Sequence, residues 1–140
     1  MSRVEIDLPN NFLFETELKV RITDINYGNH LGNDAVLGLM HEARLQFLNS
    51  LGYSELDFGG NGIIMSDCAV QYKSEAFYGD VLLVKVGVND IGRLGFDLIY
   101  QFINNKNQKT VVVGKTGVIC FDYQKRKVIP LNNEVKQKLV

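Results

Sequence analysis

The polar residues that could carry chemistry gather in one short stretch near the N-terminus, TDINYGNHLGND. It contains the imidazole of His30, the carboxyl groups of Asp24 and Asp34, and the amides of Asn26 and Asn33. No serine or cysteine stands among them to act as a nucleophile. Carboxylates and a histidine without such a nucleophile favour activation of water, or attack by a carboxylate, over a serine or cysteine triad.

A long helix should follow this stretch and position it. From Asp34 to Leu51 the apolar residues recur at a spacing of about 3.6, so we expect a helix with most of its surface buried. Asn33 or Asp34 is a suitable N-cap, and Gly52 suits the position after the last turn. The free N–H groups at Gly32-Asn33-Asp34 could polarise a carbonyl or hold an anion.

Several of these polar residues have two open interpretations. Asp34 either caps the helix or places a carboxylate beside an oxyanion site. His30 either orders the loop through hydrogen bonds or belongs to a site at the start of the helix. His41 and Glu42, inside the helix, are either the polar seam of an apolar helix or further site residues.

Alternation of apolar and polar residues predicts five strands around this helix. One precedes it and four follow it, separated by glycine- and asparagine-rich turns. Their expected bounds are Phe14–Ile22, Ile63–Tyr72, Val81–Asp90, Gly95–Asn104 and Thr110–Asp122. The tail after Pro130, with Asn132 or Asn133 as its cap, could add one or two helical turns. Residues 1–140 are therefore expected to form one two-layer α+β domain, a five-stranded antiparallel sheet wrapped around one central helix.

Composition excludes several classes of protein. The net charge is −1 and the pI is near 6.1, so no basic field exists to bind nucleic acid or an anionic membrane. No apolar run is long enough to span a bilayer, and the N-terminus does not look like a signal peptide. Cys68 and Cys120 are expected to be buried free thiols of a cytoplasmic protein. No metal-binding motif is present, and no metal is expected.

The loop and helix resemble the hotdog-fold thioesterases of the 4-hydroxybenzoyl-CoA and acyl-CoA thioesterase type. Their pattern is R-x-x-D-x-D-x-x-G-H-V-N-N, followed by a helix with E-A-R and then F-L-x-x-x-G. The residues at matching places are Arg21, Asp24, His30, Asn33, Glu42, Ala43, Arg44, Phe47, Leu48 and Gly52. The later segment YKSEAFYGD is similar to the family's Y-x-x-x-A-x-Y-G-D. The resemblance covers most of the chain and implies a hotdog fold.

One departure from the family pattern affects the chemistry. The family's catalytic carboxylate is the second aspartate of D-x-D, and Asn26 stands in its place. An asparagine can only form hydrogen bonds, so a hydrolase would need another carboxylate. Asp34 is the nearest in sequence, Glu42 lies two turns along the helix, and Asp24 is the third choice. Asn26 and His30 would then orient the thioester or the attacking water.

The resemblance implies an acyl-CoA thioesterase, with CoA as part of the substrate and no separate cofactor. Its alternatives are a non-catalytic binding protein for acyl thioesters and, less favoured, a hotdog enoyl-CoA hydratase. An acyl carrier protein could replace CoA as the carrier, and a homodimer or homotetramer is expected. Tyr27, Gly32 and Asn33 are expected to contact the substrate, and Lys73, Arg93 or the Lys125-Arg126-Lys127 run could bind its phosphates.

Overall fold

The computed structural model describes residues 3–140. Its elements follow the predicted order of strand, long helix and four strands, with two short additions near the C-terminus. They are β1 Phe14–Lys19, α1 Asn33–Ser50, β2 Gly62–Tyr72, β3 Val81–Asn89, β4 Gly95–Asn104, β5 Thr110–Asp122, β6 Lys127–Val128 and α2 Asn133–Lys138. The predicted two-layer α+β architecture is confirmed.

All strand pairs are antiparallel, in the order β1-β3-β4-β5-β2, and the two-residue β6 pairs with the end of β5. The sheet therefore has six strands, one more than expected. Within residues 3–140 no strand pairs with the outer edge of β2. This edge strand is 11 residues long, and its central residues are exposed.

Helix α1 packs one face onto the sheet and leaves the other open. Its buried residues are Val36, Leu39, Met40, Ala43, Arg44, Phe47 and Leu48. Leu37 is 52% exposed and Leu45 36%, so the expectation that most of the helix is buried is wrong for the single chain. The apolar residues of α1 extend beyond the arc that one sheet can cover.

The sequence misplaced the end of the first strand. It stops at Lys19 rather than Ile22, because the chain turns into a single 3-10 turn at Ile22–Asp24. The backbone N–H of Arg21 donates to the Asp24 carboxylate at 2.8 Å instead of to a neighbouring strand. Ile22 is consequently 66% exposed, although it continues the alternation of the strand.

The prediction that both cysteines are buried free thiols is correct only in part. Both are free thiols, but only Cys120 is buried, and Cys68 is exposed. Cys68 lies in the middle of β2, whose outer edge has no neighbour among the described residues. An apolar, strand-like sequence could not reveal that its strand is the last of the sheet.

Two further segments, residues 4–12 and helix α2, complete the described part of the fold. The extended segment 4–12 crosses the face opposite α1: Gln71 of β2 donates to the carbonyl of Val4, and Asn89 of β3 donates to that of Asp7. At the other end, Asn132 caps α2 as expected, accepting a hydrogen bond from Glu134 N–H at 2.7 Å. No helix in residues 3–140 is long and apolar enough to cross a membrane.

Candidate active site at the start of helix α1

The loop before α1 is held in one conformation by backbone hydrogen bonds. Asn26 N–H donates to the carbonyl of His30 at 3.0 Å, and Leu31 N–H donates to that of Ala76 at 2.7 Å. His30 also forms a bridge with Phe77, in the segment that leads into β3. The predicted polar stretch is therefore a tight hairpin-like loop fixed against the sheet, with its tip at Asn29, whose φ is +66°.

Both carboxylate oxygens of Asp24 accept hydrogen bonds within this loop. One of its carboxylate oxygens accepts from the Arg21 backbone N–H and Nε, and the other accepts from the Arg21 guanidinium at 3.1 Å. Burial disfavours the charged carboxyl group, but these hydrogen bonds and the positive charge of Arg21 outweigh it, so the pKa of Asp24 is lowered. A carboxylate held in this way is poorly placed to accept a proton from water.

Two glycines make room for three other polar side chains. His30 Nε2 and Asn26 Oδ1 lie 3.1 and 3.2 Å from the point that a Cβ on Gly28 would occupy. At Gly32, Asp34 Oδ1 lies 2.7 Å and Asn26 Cβ 3.6 Å from the corresponding point. Asn26 therefore lies beside both points, His30 beside the first and Asp34 beside the second, and we call these three side chains the loop cluster.

The N-terminus of α1 is open. Gly32 is the N-cap residue, in an extended conformation, and no side chain caps the helix. The prediction of Asn33 or Asp34 as N-cap is thus wrong, because both lie inside the first turn. Gly32 N–H donates to the Asp24 carbonyl at 2.9 Å, and Ala35 N–H donates back to Gly32. Within residues 3–140, the N–H groups of Asn33 and Asp34 have no acceptor, which leaves two donors at the positive end of the helix dipole.

A cavity of about 230 Å³ opens beside this helix end. Apolar side chains from α1, β5 and the loop form its wall, and polar groups lie around them. The lining residues are His30, Leu31, Asn33, Val36, Tyr72, Lys73, Ser74, Glu75, Ala76, Val111 and Val112. An apolar space next to free N–H donors suits an acyl group whose carbonyl lies at the helix end.

The remaining predicted site residues do not all lie at the cavity. Lys73 lines the cavity with His30 and Asn33. Arg93 does not reach it, because it lies on the β3–β4 hairpin, a full strand length from the loop. Tyr27 is fully exposed at the loop. Glu42 is also exposed, about 12 Å along the helix from Asp34, and it accepts a hydrogen bond from Gln46.

Sequence reasoning missed two features of the site. Tyr72, the last residue of β2, and Ser74 and Glu75, which follow it, line the cavity. They lie in the family-like segment YKSEAFYGD but were not predicted as site residues. Arg44 is 7% exposed and donates to the hydroxyl of Tyr100 at 3.2 Å and to Glu55 at 2.9 Å. The sequence analysis named Arg44 only as part of the family's E-A-R pattern; its place one helical turn after Met40, on the apolar side of the helix, also indicated a buried charge.

The sequence model of the thioesterase-like superfamily matches residues 20–139, which is most of the chain. The chain belongs to the thioesterase-like superfamily. No curated protein sequence matches it significantly. Family membership confirms the predicted relationship and, at the level of reaction class, the predicted thioester hydrolase.

Solved structures share the fold at low sequence identity. A 1,4-dihydroxy-2-naphthoyl-CoA thioesterase from Synechocystis is 20% identical with a TM-score of 0.81, and the match covers 90% of this chain and 94% of that one. A DHNA-CoA thioesterase from Staphylococcus aureus is 24% identical with a TM-score of 0.76, covering 89% and 88%. A gentisyl-coenzyme A thioesterase is 19% identical with a TM-score of 0.77, covering 88% and 99%. The predicted hotdog fold is confirmed.

The Asp24–Arg21 pair generates a prediction about stability. A carboxyl group whose pKa is lowered on folding stabilises the protein above its unfolded pKa, about 3.9, and this contribution is lost as the pH falls through the folded value. We expect Asp24→Asn to lower the Tm by a few degrees at pH 7, and this difference should shrink below about pH 4.

Thermal denaturation at both pH values measures this effect. The matched control is Glu15→Gln, which removes an exposed carboxyl group of β1 that has no hydrogen-bond partner within residues 3–140. An Asp24→Asn penalty that is equally large under acidic conditions would show that its cause is packing and not the charge.

Proposed function

We propose that this protein hydrolyses an acyl-CoA thioester at the N-terminus of α1. The observation that carries the proposal is the unpartnered Asp34 carboxylate in the first turn of α1, beside two free helix N–H groups. An apolar cavity that His30 and Asn33 line opens at the same helix end. Thioester hydrolysis needs a base for water, donors for the developing oxyanion and a space for the acyl group. In this proposal Asp34 is the base, the N–H groups of Asn33 and Asp34 are the donors, and the cavity holds the acyl group.

Asp34 is the proposed general base. It lies in the first turn of α1, and no side chain or backbone group within residues 3–140 hydrogen-bonds to its carboxylate. Water positioned by the loop cluster would lose a proton to Asp34 as its oxygen attacks the thioester carbonyl. The resulting oxyanion would accept hydrogen bonds from the N–H groups of Asn33 and Asp34. Collapse of this intermediate breaks the C–S bond, and the proton held by Asp34 returns to the leaving thiolate.

Asn26 and His30 are proposed to position the reactants. Asn26 Oδ1 accepts from Gly28 N–H at 2.9 Å, so the amide group keeps its NH₂ side available as a donor. His30 Nδ1 lies 3.4 Å from the carbonyl of Leu31. Its Nε2 is close to Gly28 at the loop surface. These two groups can orient the thioester without themselves carrying negative charge.

The phosphates of CoA need positive charge, and Lys73 provides one at the cavity. Arg93 and the Lys125-Arg126-Lys127 turn lie at the opposite end of the sheet. A homodimer that pairs two β2 edges in antiparallel fashion would bring that end of one protomer beside the loop of the other. We therefore propose a C2 homodimer in which the polar loop lies at the interface. A cytoplasmic location stays a prediction.

Replacement of the proposed base should remove most of the turnover. Asp34→Asn keeps the size of the side chain but cannot accept a proton, and loss of a general base typically reduces kcat by about 10²–10⁴-fold. Release of free thiol from a panel of acyl-CoAs measures the effect. The matched control is Glu42→Gln, another exposed carboxyl of α1, which should retain its activity.

Both variants must have melting temperatures close to that of the wild type, so that lost folding is not read as lost catalysis. If Asp34→Asn remains fully active while Glu42→Gln loses activity, Glu42 is the base. If both remain active, a carboxyl group elsewhere, at Asp24 or Glu75, must serve.

Restoring a carboxylate at position 26 should preserve or increase the rate. Asn26→Asp keeps an oxygen for Gly28 N–H and adds a second proton acceptor within the loop cluster. We expect kcat equal to or above that of the wild type, whereas His30→Ala should lower kcat with little effect on Tm. A sharp loss of activity in folded Asn26→Asp would show that the amide N–H donor is needed.

The binding-protein alternative has one specific observation in its favour, the amide at position 26 in place of the family carboxylate. It would be preferred if the wild-type protein bound acyl-CoA without hydrolysing any member of the panel while Asn26→Asp gained hydrolysis. Conversion of enoyl-CoA to the hydrated product would favour the hydratase. Acyl-carrier substrates in the same assay distinguish the two carriers.

The unpaired β2 edge predicts the state of assembly. Light scattering at micromolar concentration should give about twice the chain mass of 15.8 kDa, or a further doubling for a homotetramer. Hydrolysis should decline on dilution into the monomer range if the interface completes the substrate site. A monodisperse monomer with full activity would contradict both the dimer and the shared site.

A further inference from the structure

A single flexible side chain, that of Met40, lies one helical turn beyond the wall of the cavity beside α1. Val36 of α1 and Val112 of β5 belong to its apolar wall. One helical turn beyond Val36 stands Met40, which is 1% exposed, and two residues beyond Val112 on the same strand face stands Gly114. Both Sδ and Cε of Met40 lie 2.8 Å from the point that a Cβ on Gly114 would occupy. The thioether therefore fills the space that Gly114 leaves on the inner face of the sheet.

Beyond Met40 the interior becomes polar. Arg44, one further turn along α1, donates to the hydroxyl of Tyr100 at 3.2 Å, and this hydroxyl lies 2.8 Å from Thr116 Oγ1. Tyr100 is fully buried and pairs with Gly114 in the register of β4 and β5. An apolar chain that passed Met40 would meet this hydrogen-bonded group, whose disruption would leave buried polar atoms unpaired.

We propose that Met40 and Gly114 set the length of acyl chain that the site accepts, an inference that rests on the proposed acyl-CoA hydrolysis. The acyl group enters at the helix N-terminus and runs between Val36 and Val112. The Met40 side chain on Gly114 closes this path, and the Arg44–Tyr100–Thr116 group limits how far it can be extended. Methionine suits this position because its unbranched thioether can adapt to the end of a chain.

Two variants change the end of the cavity in opposite directions. Met40→Ala removes three heavy atoms and should move the preferred chain length upward by about three carbons. The kcat/KM for the longer substrate should rise about 10-fold or more over that of the wild type, since one methylene in an apolar pocket changes discrimination by about that factor. Gly114→Ala should move the preference to shorter chains, because its Cβ displaces the flexible end of Met40.

The matched control is Leu39→Ala. Leu39 is a buried neighbour of Met40 on α1, 4% exposed, and the atoms nearest to a Cβ on Gly114 belong to Met40 and not to Leu39. It loses a comparable apolar side chain from the core, so it should lower the Tm while keeping the wild-type chain-length profile. The measurement is kcat/KM for straight-chain acyl-CoAs from butanoyl to palmitoyl, on protein whose folding has been checked by thermal denaturation.

The outcomes separate this inference from the proposed function. Opposite shifts in Met40→Ala and Gly114→Ala, with none in Leu39→Ala, support it. A wild-type profile in folded, active Met40→Ala overturns it and leaves thioester hydrolysis standing. If Met40→Ala does not fold, an unchanged profile in Gly114→Ala is sufficient to overturn it. If the wild-type protein hydrolyses no acyl-CoA, the proposed function fails and the inference fails with it.

Discussion

The missing side chain at position 32 is the constraint on which the candidate site depends. Gly32 N–H bonds to the Asp24 carbonyl, and the next residue already belongs to α1, so this peptide sets where the helix begins. Asp34 Oδ1 lies 2.7 Å from the point that a Cβ would occupy there. A side chain at 32 would displace that carboxylate from the helix end. The position of the Asp34 carboxylate at the helix end therefore depends on the absence of a side chain at Gly32.

A helix N-terminus without a capping side chain is less stable, and the packing of the rest of α1 against the sheet compensates for this. The N-cap of α1 is a glycine, which typically costs only about a few tenths of a kcal/mol relative to a residue with a capping side chain. The six-residue helix α2, with one buried residue, has Asn132 as its cap, whereas the 18-residue α1 has none. Seven buried side chains anchor α1 to the sheet, so its position does not depend on a cap. Its first N–H groups can consequently remain free for a ligand, the kind of local compromise expected at a functional site.

The sequence predicted the elements well where local patterns decide them. The bounds of Gly95–Asn104 and Thr110–Asp122 were correct at both ends, since alternation stops where turn residues begin. It failed where tertiary contacts decide. Ile22 continues the alternation, but the Asp24 carboxylate draws the chain into a turn, and Cys68 is exposed in the middle of the edge strand β2. Sequence also located the site loop but could not rank its carboxyl groups, because the partners of Asp24 and Glu42 appear only in the folded chain.

The charges and hydrogen bonds around the loop make the three carboxyl groups differ in how well they could accept a proton. Arg21 neutralises Asp24 and lowers its pKa, which makes it a structural anion and a poor base. Glu42 accepts from Gln46 on another part of α1. Of the three carboxyl groups considered as the base, Asp34 alone has no hydrogen-bond partner in the described chain and also lies at the positive end of the helix. With an amide at position 26, the cluster holds one negative charge there instead of two that would repel each other. In the proposed mechanism this single carboxylate takes the proton of the attacking water, while the two N–H donors in the same helical turn stabilise the oxyanion.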